Sequence, residues 1–182
     1  IEELFSLEGE TAVVTGAGRG IGEGIAKVLA SAGARVVCAA RRANEIERVA
    51  EEINSAGGRA LACATDVTDA QAVQGLADFA VSEFGGLHMW VNNAGGSSVQ
   101  RALHKLDREA WDRTLLLNLT AVWECTRIAA ATMESGRILN ISSLAAEDVI
   151  PGSGHYSAAK AGVNMLTKTF AQELGPRIRV NC

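Results

Sequence analysis

The sequence predicts a doubly wound α/β fold: a parallel sheet with helices on both faces. Three observations lead there. Short β-rich apolar runs alternate with longer segments of helical period, the first run ends in a glycine-rich turn that opens a helix, and 182 residues with 48% hydrophobic content supply one substantial core. With no internal repeat, low-complexity tract or proline-rich linker, residues 1–182 read as a single domain.

Strands are expected at Thr11 to Thr15, Arg35 to Ala40, Ala60 to Ala64, Leu87 to Asn92, Arg137 to Ser142 and Ile178 to Asn181. Between them the pattern predicts helices at Ile21 to Ser31, Asn44 to Ala56, Ala70 to Phe84, Arg108 to Met133 and Tyr156 to Leu174. Their ends carry stop signals: Gly33, Gly57 with Gly58, Gly85 with Gly86, and Gly175 with Pro176. Asp69 is placed to cap the third helix. From Asn44 to Asn54 the 3.6 period puts Ile46, Val49, Ala50 and Ile53 on one stripe and Glu45, Arg48, Glu51 and Glu52 towards water, as in a surface helix.

Composition narrows the function. A net charge of -4 argues against a nucleic-acid binder, which needs a broad basic field. No apolar run approaches the roughly 18 residues that span a bilayer, and no basic-then-apolar leader opens the chain, so no membrane partner is expected. Cys38, Cys63, Cys125 and Cys182 form no C-x-x-C pair; they read as reduced, mostly buried thiols of a cytoplasmic protein. His88, His104 and His155 have no ligand spacing, so no metal is expected, although His155 precedes Tyr156 and could face a substrate.

The chemistry-bearing segments begin with TGAGRGIG, Thr15 to Gly22, between the first strand and first helix. Glycines there let the backbone approach a pyrophosphate, and the helix start offers unpaired N–H groups and a positive dipole end. A tight turn without ligand would fit the same residues. About 20 residues further on, where a carboxylate would hold the ribose 2′-hydroxyl of NAD, none is present. Instead Arg41 and Arg42 follow the second strand and Arg19 sits inside the turn; guanidinium groups suit a 2′-phosphate, so NADP is expected, with NAD the weaker alternative. Solvated surface charge is the plainer reading of the arginines.

Tyr156 and Lys160 stand four apart at the start of a helix and share a face. A tyrosine hydroxyl, ordinarily near 10, becomes a useful base only where something such as an ammonium favours its ionised form. The spacing also arises by chance on amphipathic helices. Ser143 ends the strand GRILNIS thirteen positions earlier, in the crevice where doubly wound sheets bind ligands, with Ser142 as its competitor for that place.

Together these segments resemble the short-chain dehydrogenase/reductase family, in its compact single-domain form. The match runs through TGAGRGIG, Asp66-Val67, NNAG at Asn92 to Gly95, Asn118 in LNLT, Ser143 in ISS and Tyr156 to Lys160 as YSAAK. The resemblance implies a Rossmann-type fold and hydride transfer between the nicotinamide and a small-molecule carbonyl or secondary alcohol. Tyr156 would be the proton donor, Ser143 would hold the carbonyl oxygen, and Lys160 would bind the nicotinamide ribose and favour the tyrosinate. Asn118 would anchor a water in a proton relay. The cofactor would lie along Gly16, Arg19, Gly20, Ile21, Gly22, Arg41, Arg42, Asp66, Val67, Asn93, Ala94, Gly95, Tyr156 and Lys160, with Asp66 towards adenine. Plainer structural roles remain for Asn118, as a helix-interior amide bonded to backbone, and for Asp66, as a turn residue.

The resemblance further implies a dimer or tetramer built on the helices Arg108 to Met133 and Tyr156 to Leu174. Relatives usually continue past a motif like IRVNC into a substrate-covering lid and a last strand, so this chain is expected to lack both. The interval from Asn118 to Ser143 looks short around Met133 to Gly136. Acyl-carrier-linked 3-oxoacyl, hydroxysteroid, sugar and general ketone substrates all fit, with the apolar stretch Ile128 to Thr132 disfavouring an acidic carrier. An NAD-dependent enzyme, a non-catalytic dinucleotide binder and a related isomerase or dehydratase are the competing readings.

Overall fold

A computed structural model describes residues 5–97 and 99–182. Six strands, β1 (Thr11–Thr15), β2 (Arg35–Ala40), β3 (Arg59–Ala64), β4 (Met89–Asn92), β5 (Gly136–Asn140) and β6 (Ile178–Asn181), form one sheet in the order β3-β2-β1-β4-β5-β6. Every pairing is parallel. β1 and β4 are buried along their whole length, as strands covered on both faces must be, which is why they read as continuous apolar runs rather than alternating ones.

Alternation along β1 and β2 divides the core. Ala12, Val14, Val36 and Cys38 point to the face covered by α1 (Gly20–Ser31) and α2 (Ala43–Ser55), where Ala26, Ala30, Ile46, Val49 and Ile53 meet them. Val13 and Val37 point to the other face with Trp90 and Ile138, against α3 (Ala70–Phe84) and α5 (Ala121–Thr132). α6 (Gly154–Leu174) packs on that same face through Phe170, Ala171 and Leu174. Burying each of these larger side chains contributes about 1.5–3 kcal/mol.

The elements lie where the pattern puts them, with end shifts of one or two residues and one correction. The single helix expected from Arg108 to Met133 is two: α4 (Arg108–Leu115), a π-helical turn over Leu116–Thr120, and α5. Periodicity misses the break because the backbone stays helical throughout while one extra residue is accommodated, a distortion frequent at functional sites. The connection from α5 to β5 is short and is held by Arg177, whose guanidinium donates to the carbonyls of Met133 (2.6 Å) and Ala130 (3.2 Å) at the helix end. Asp69 caps α3 by accepting from the N–H groups of Gln71 and Ala72, and Gly85 closes that helix in the left-handed region.

The cysteines are all free, but only Cys38 and Cys125 are buried; Cys63 is half-buried and Cys182 exposed, so the expectation of mostly buried thiols holds for two of the four. Burial pushes the Cys38 and Cys125 thiols up to about 12, so neither is a nucleophile at neutral pH. Among the described residues no helix is long and apolar enough to cross a membrane.

Candidate active site

In the sheet order the direction of winding reverses between β1 and β4, and the loops leaving their carboxyl ends must part there. A cleft of about 690 Å³ opens at that point. The loops bordering it are locked to each other by Thr15. Its hydroxyl donates to the Val91 carbonyl (3.0 Å) and accepts from the N–H groups of Asn93 (3.0 Å) and Ala94 (3.1 Å). Asn93 returns the contact by donating to the carbonyls of Thr15 (2.9 Å) and Gly16 (3.2 Å). Asn93 thus braces the glycine turn as well as lining the cleft, a role that only the fold reveals.

The turn itself fits a dinucleotide. Gly16 lies at φ +65°, and a Cβ there would come within 2.8 Å of the Asn93 side chain. A Cβ on Gly22 would lie 2.3 Å from the Gly16 carbonyl, so Gly22 is packed behind the turn and does not line the cleft. A Cβ on Gly20 would meet nothing within 4 Å, which leaves open space over the helix start. Arg19 occupies the N-cap of α1 in an extended conformation and no side chain caps the helix. Its first N–H groups are therefore available to an anion, with the positive dipole end behind them. Gly16, Arg19, Gly20 and Ile21 all line the cleft, as do Arg41, Arg42, Asp66, Val67, Ala94 and Gly95. Thr68 donates to Asp66 from both its N–H and its hydroxyl, and these bonds, with Arg41 nearby, hold the Asp66 carboxyl below its ordinary value.

Glu45 also lines the cleft, which the periodicity of α2 does not foresee. Its expected water-facing position is corrected: the side chain is 24% exposed, paired at 2.7 Å with Arg42 and laid against Gly18. A helical stripe assigns faces relative to the core and is blind to a loop folding back over the first turn.

On the opposite wall stand Ser143, Tyr156 and Lys160. The Ser143 hydroxyl accepts from the Ala145 N–H (3.1 Å), which caps a short 3₁₀ turn at Leu144–Ala146 and leaves its proton free to be donated. Ser142, which also borders the cleft, gives its proton to Asn164 on α6. Both serines therefore reach the cleft, contrary to the expectation that only one would, and they differ in that the Ser142 proton is engaged while that of Ser143 is not.

Lys160 is only 4% exposed, donates to the Ile141 carbonyl at 2.7 Å and lies 5.7 Å from the Tyr156 ring centre. Burial depresses the pKa of its ammonium. Asn118, within the π turn, donates to the carbonyls of Thr114 and Gly96 (both 2.9 Å) and accepts from the Gly96 N–H (2.8 Å). The plainer role expected of Asn118 is met, since it bonds backbone from within the helical path. A Cβ on Gly95 would sit 2.8 Å from the Asn118 oxygen and 3.7 Å from Lys160 Nζ, so that glycine makes room for the two side chains to converge. His155 is fully buried, with its Nε2 3.3 Å from the Ser97 hydroxyl, and does not border the cleft, which leaves it the structural role its lack of ligand spacing suggests.

The doubly wound sheet thus places an uncapped glycine turn on one wall of its switch-point cleft and a serine, a tyrosine and a buried lysine on the other. The family model for short chain dehydrogenase matches residues 10–182. Among similar proteins, the 7alpha-hydroxysteroid dehydrogenase of Escherichia coli K12 is 38% identical over 179 residues, covering 96% of this chain and 69% of the relative. The 3-oxoacyl-[acyl-carrier-protein] reductase of Synechocystis sp. PCC 6803 is 40% identical over 178 residues, covering 96% and 72%. A solved dehydrogenase/reductase from Sinorhizobium meliloti 1021 superposes with a TM-score of 0.95 at 40% identity over 99% of this chain and 73% of its own. A 7 alpha-hydroxysteroid dehydrogenase complexed with NADH and 7-oxo glycochenodeoxycholic acid does so with a TM-score of 0.93 at 38% identity, covering 97% and 70%. The chain belongs to the short-chain dehydrogenase/reductase family of oxidoreductases.

Proposed function

We propose that the protein is an NADP-dependent reductase or dehydrogenase acting on a small-molecule carbonyl or secondary alcohol, with Tyr156 as its general acid/base. The observation that carries this reading is the convergence of Ser143, Tyr156 and Lys160 on the cleft that the uncapped start of α1 also enters. A bound nicotinamide dinucleotide supplies or accepts the hydride. The chain's own residues do the rest. Ser143 donates its free proton to the carbonyl oxygen and orients it, while Tyr156 delivers the proton that completes reduction or removes it from an alcohol. Lys160, buried and anchored on the Ile141 carbonyl, holds an ammonium beside the tyrosine, and Asn118 fixes the loop at Gly96 against it. Gly16, Gly20, Ile21, Asn93, Ala94 and Gly95 would border the dinucleotide, with Gly22 packing the turn from behind and Asp66 and Val67 placed for the adenine. Arg19, Arg41 and Arg42 bring three guanidinium groups to the adenosine end, which supports NADP over NAD.

Replacing Tyr156 by Phe is expected to lower kcat by about 10²–10⁴ with cofactor affinity retained, measured as NADPH oxidation with a panel of ketones. Turnover at the original rate would overturn the assignment, and absence of turnover in the unaltered protein would favour a non-catalytic binder.

Leu116, Trp123 and Met165 expose 44%, 42% and 62% of their surface on the π turn between α4 and α5, on α5 and on α6, which supports a homo-oligomer joined through those helices. Sedimentation should give a dimer or larger; a stable monomer at micromolar concentration refutes it. Four unpaired cysteines fit a cytoplasmic setting.

A further inference from the structure

Three cationic side chains at the adenosine end do not act alike. Among the described contacts Arg42 has a fixed anionic partner, Nη1 to Glu45 Oε1 at 2.7 Å. The pair spans the last residue before α2 and the first turn of that helix, and Glu45 is much the less exposed member, 24% against 56%. Its other oxygen, Oε2, lies 2.9 Å from the point where a Cβ on Gly18 would stand, and its own Cβ 2.8 Å from it. The carboxylate is therefore wedged between Arg42 and the glycine turn. Gly18, which is none of the glycines in the G-x-x-x-G-x-G spacing, is the residue that leaves room for it.

We propose that Glu45 is a specificity-determining residue that restrains the preference for the 2′-phosphorylated cofactor by occupying Arg42. The proposal rests on the dinucleotide-binding reading of the cleft. A 2′-phosphate carries about -1.5 to -2 charges at neutral pH and needs guanidinium donors free to fork around it. To engage Arg42 it must break the pair and come close to a second anion. A neutral 2′-hydroxyl meets neither obstacle, and it finds in Glu45 a carboxylate able to accept a hydrogen bond from it, one that Ala40 and Arg41 at the end of β2 do not provide. Glu45 thus brings the affinities for NADP(H) and NAD(H) closer together than the three arginines alone would set them.

The same pair has a purely structural interpretation, an acidic residue in the first turn of a helix with an i,i+3 partner, which would alter stability and leave preference untouched. Adenosine fragments separate the two without relying on turnover. Calorimetric titration of the full chain with 2′,5′-ADP and with 5′-AMP at low salt gives a ratio of affinities. In Glu45→Gln that ratio should rise about five- to tenfold, and the gain should shrink as salt is added, since both effects are Coulombic at a partly exposed site. Glu45→Ala should move the ratio the same way. In an Arg42→Ala background the gain from Glu45→Gln should fall to about twofold, leaving only direct repulsion.

An unchanged or lowered ratio in both Glu45 variants, with melting temperature held, overturns the proposal, as does a gain of equal size without Arg42. Arg41→Ala run alongside tests the NADP reading on its own. If the unaltered protein shows no preference for 2′,5′-ADP and Arg41→Ala changes nothing, that reading fails, while the response of Glu45→Gln still decides the role of Glu45.

Discussion

The two halves of the sheet are tied together by different kinds of polar interaction. On the side of the glycine turn, side-chain bonds between α1 and α2 run over the surface. Glu23 pairs with Lys27 and Arg48, both of these reach Glu52, and Arg48 also donates to the Gly18 carbonyl at the back of the turn. On the catalytic side they run through the core. Trp90 donates to Asn92 (2.8 Å), Asn92 donates to Asn140 (2.8 Å) and Thr126 (3.0 Å), and Asn140 donates to Thr167 (2.9 Å) on α6. Exposed charges are screened and individually weak, so each of these pairs can be lost at little cost to the fold. Buried neutral dipoles are unscreened and costly to leave unpaired, so this side holds β4, β5 and α6, the helix that carries Tyr156 and Lys160, in one geometry.

The contrast can be broken at either end. The larger effect belongs to Asn140→Ala. Asn140 is 1% exposed, and its loss leaves Asn92 and Thr167 each short of a partner beside a new cavity. A loss of about 2–4 kcal/mol is expected by denaturant unfolding, insensitive to salt. A cost below about 1 kcal/mol would mean that the core network is not what holds that half.

Glu23→Gln should have a much smaller effect. Hydrogen bonds from Arg48, then Lys27, hold the Glu23 carboxyl down to about 2 from 4.5. A folded-state value below the unfolded one contributes stability that is full above 4.5 and disappears as pH falls from 4.5 towards 2. Its partners are 47% and 41% exposed, so screening holds the contribution at neutral pH to under about 1 kcal/mol. The difference between the original and Glu23→Gln proteins should shrink in added salt and vanish in acid; a difference that persists at pH near 2 would show that Glu23 acts through packing.

Much of the site was legible in the chain because its parts are local. Tyr156 and Lys160 share a face by helical spacing, Gly16, Gly20 and Gly22 shape a turn within seven residues, and Ser143 ends a strand. The doubly wound class followed from the same logic, since fully buried strands need continuous apolar runs. Distant relations were not legible. No local pattern joins Thr15 to Asn93, Arg177 to the end of α5, or Asn118 to Gly96, each a contact between segments more than 20 residues apart. The π turn escaped for a different reason, because it breaks the hydrogen-bond ladder without breaking the helical path.

The arginines show where the division falls. Sequence by itself determined that cationic side chains, and no carboxylate at the end of β2, would stand beside the glycine turn, because strand ends and turn spacing are set by short-range backbone geometry. Only the tertiary structure decided how free each cation is: it folded the glycine turn against the first turn of α2, set Glu45 in the gap at Gly18 and gave it Arg42. Charge is a property of composition, whereas its availability depends on which groups the fold brings within a few ångströms.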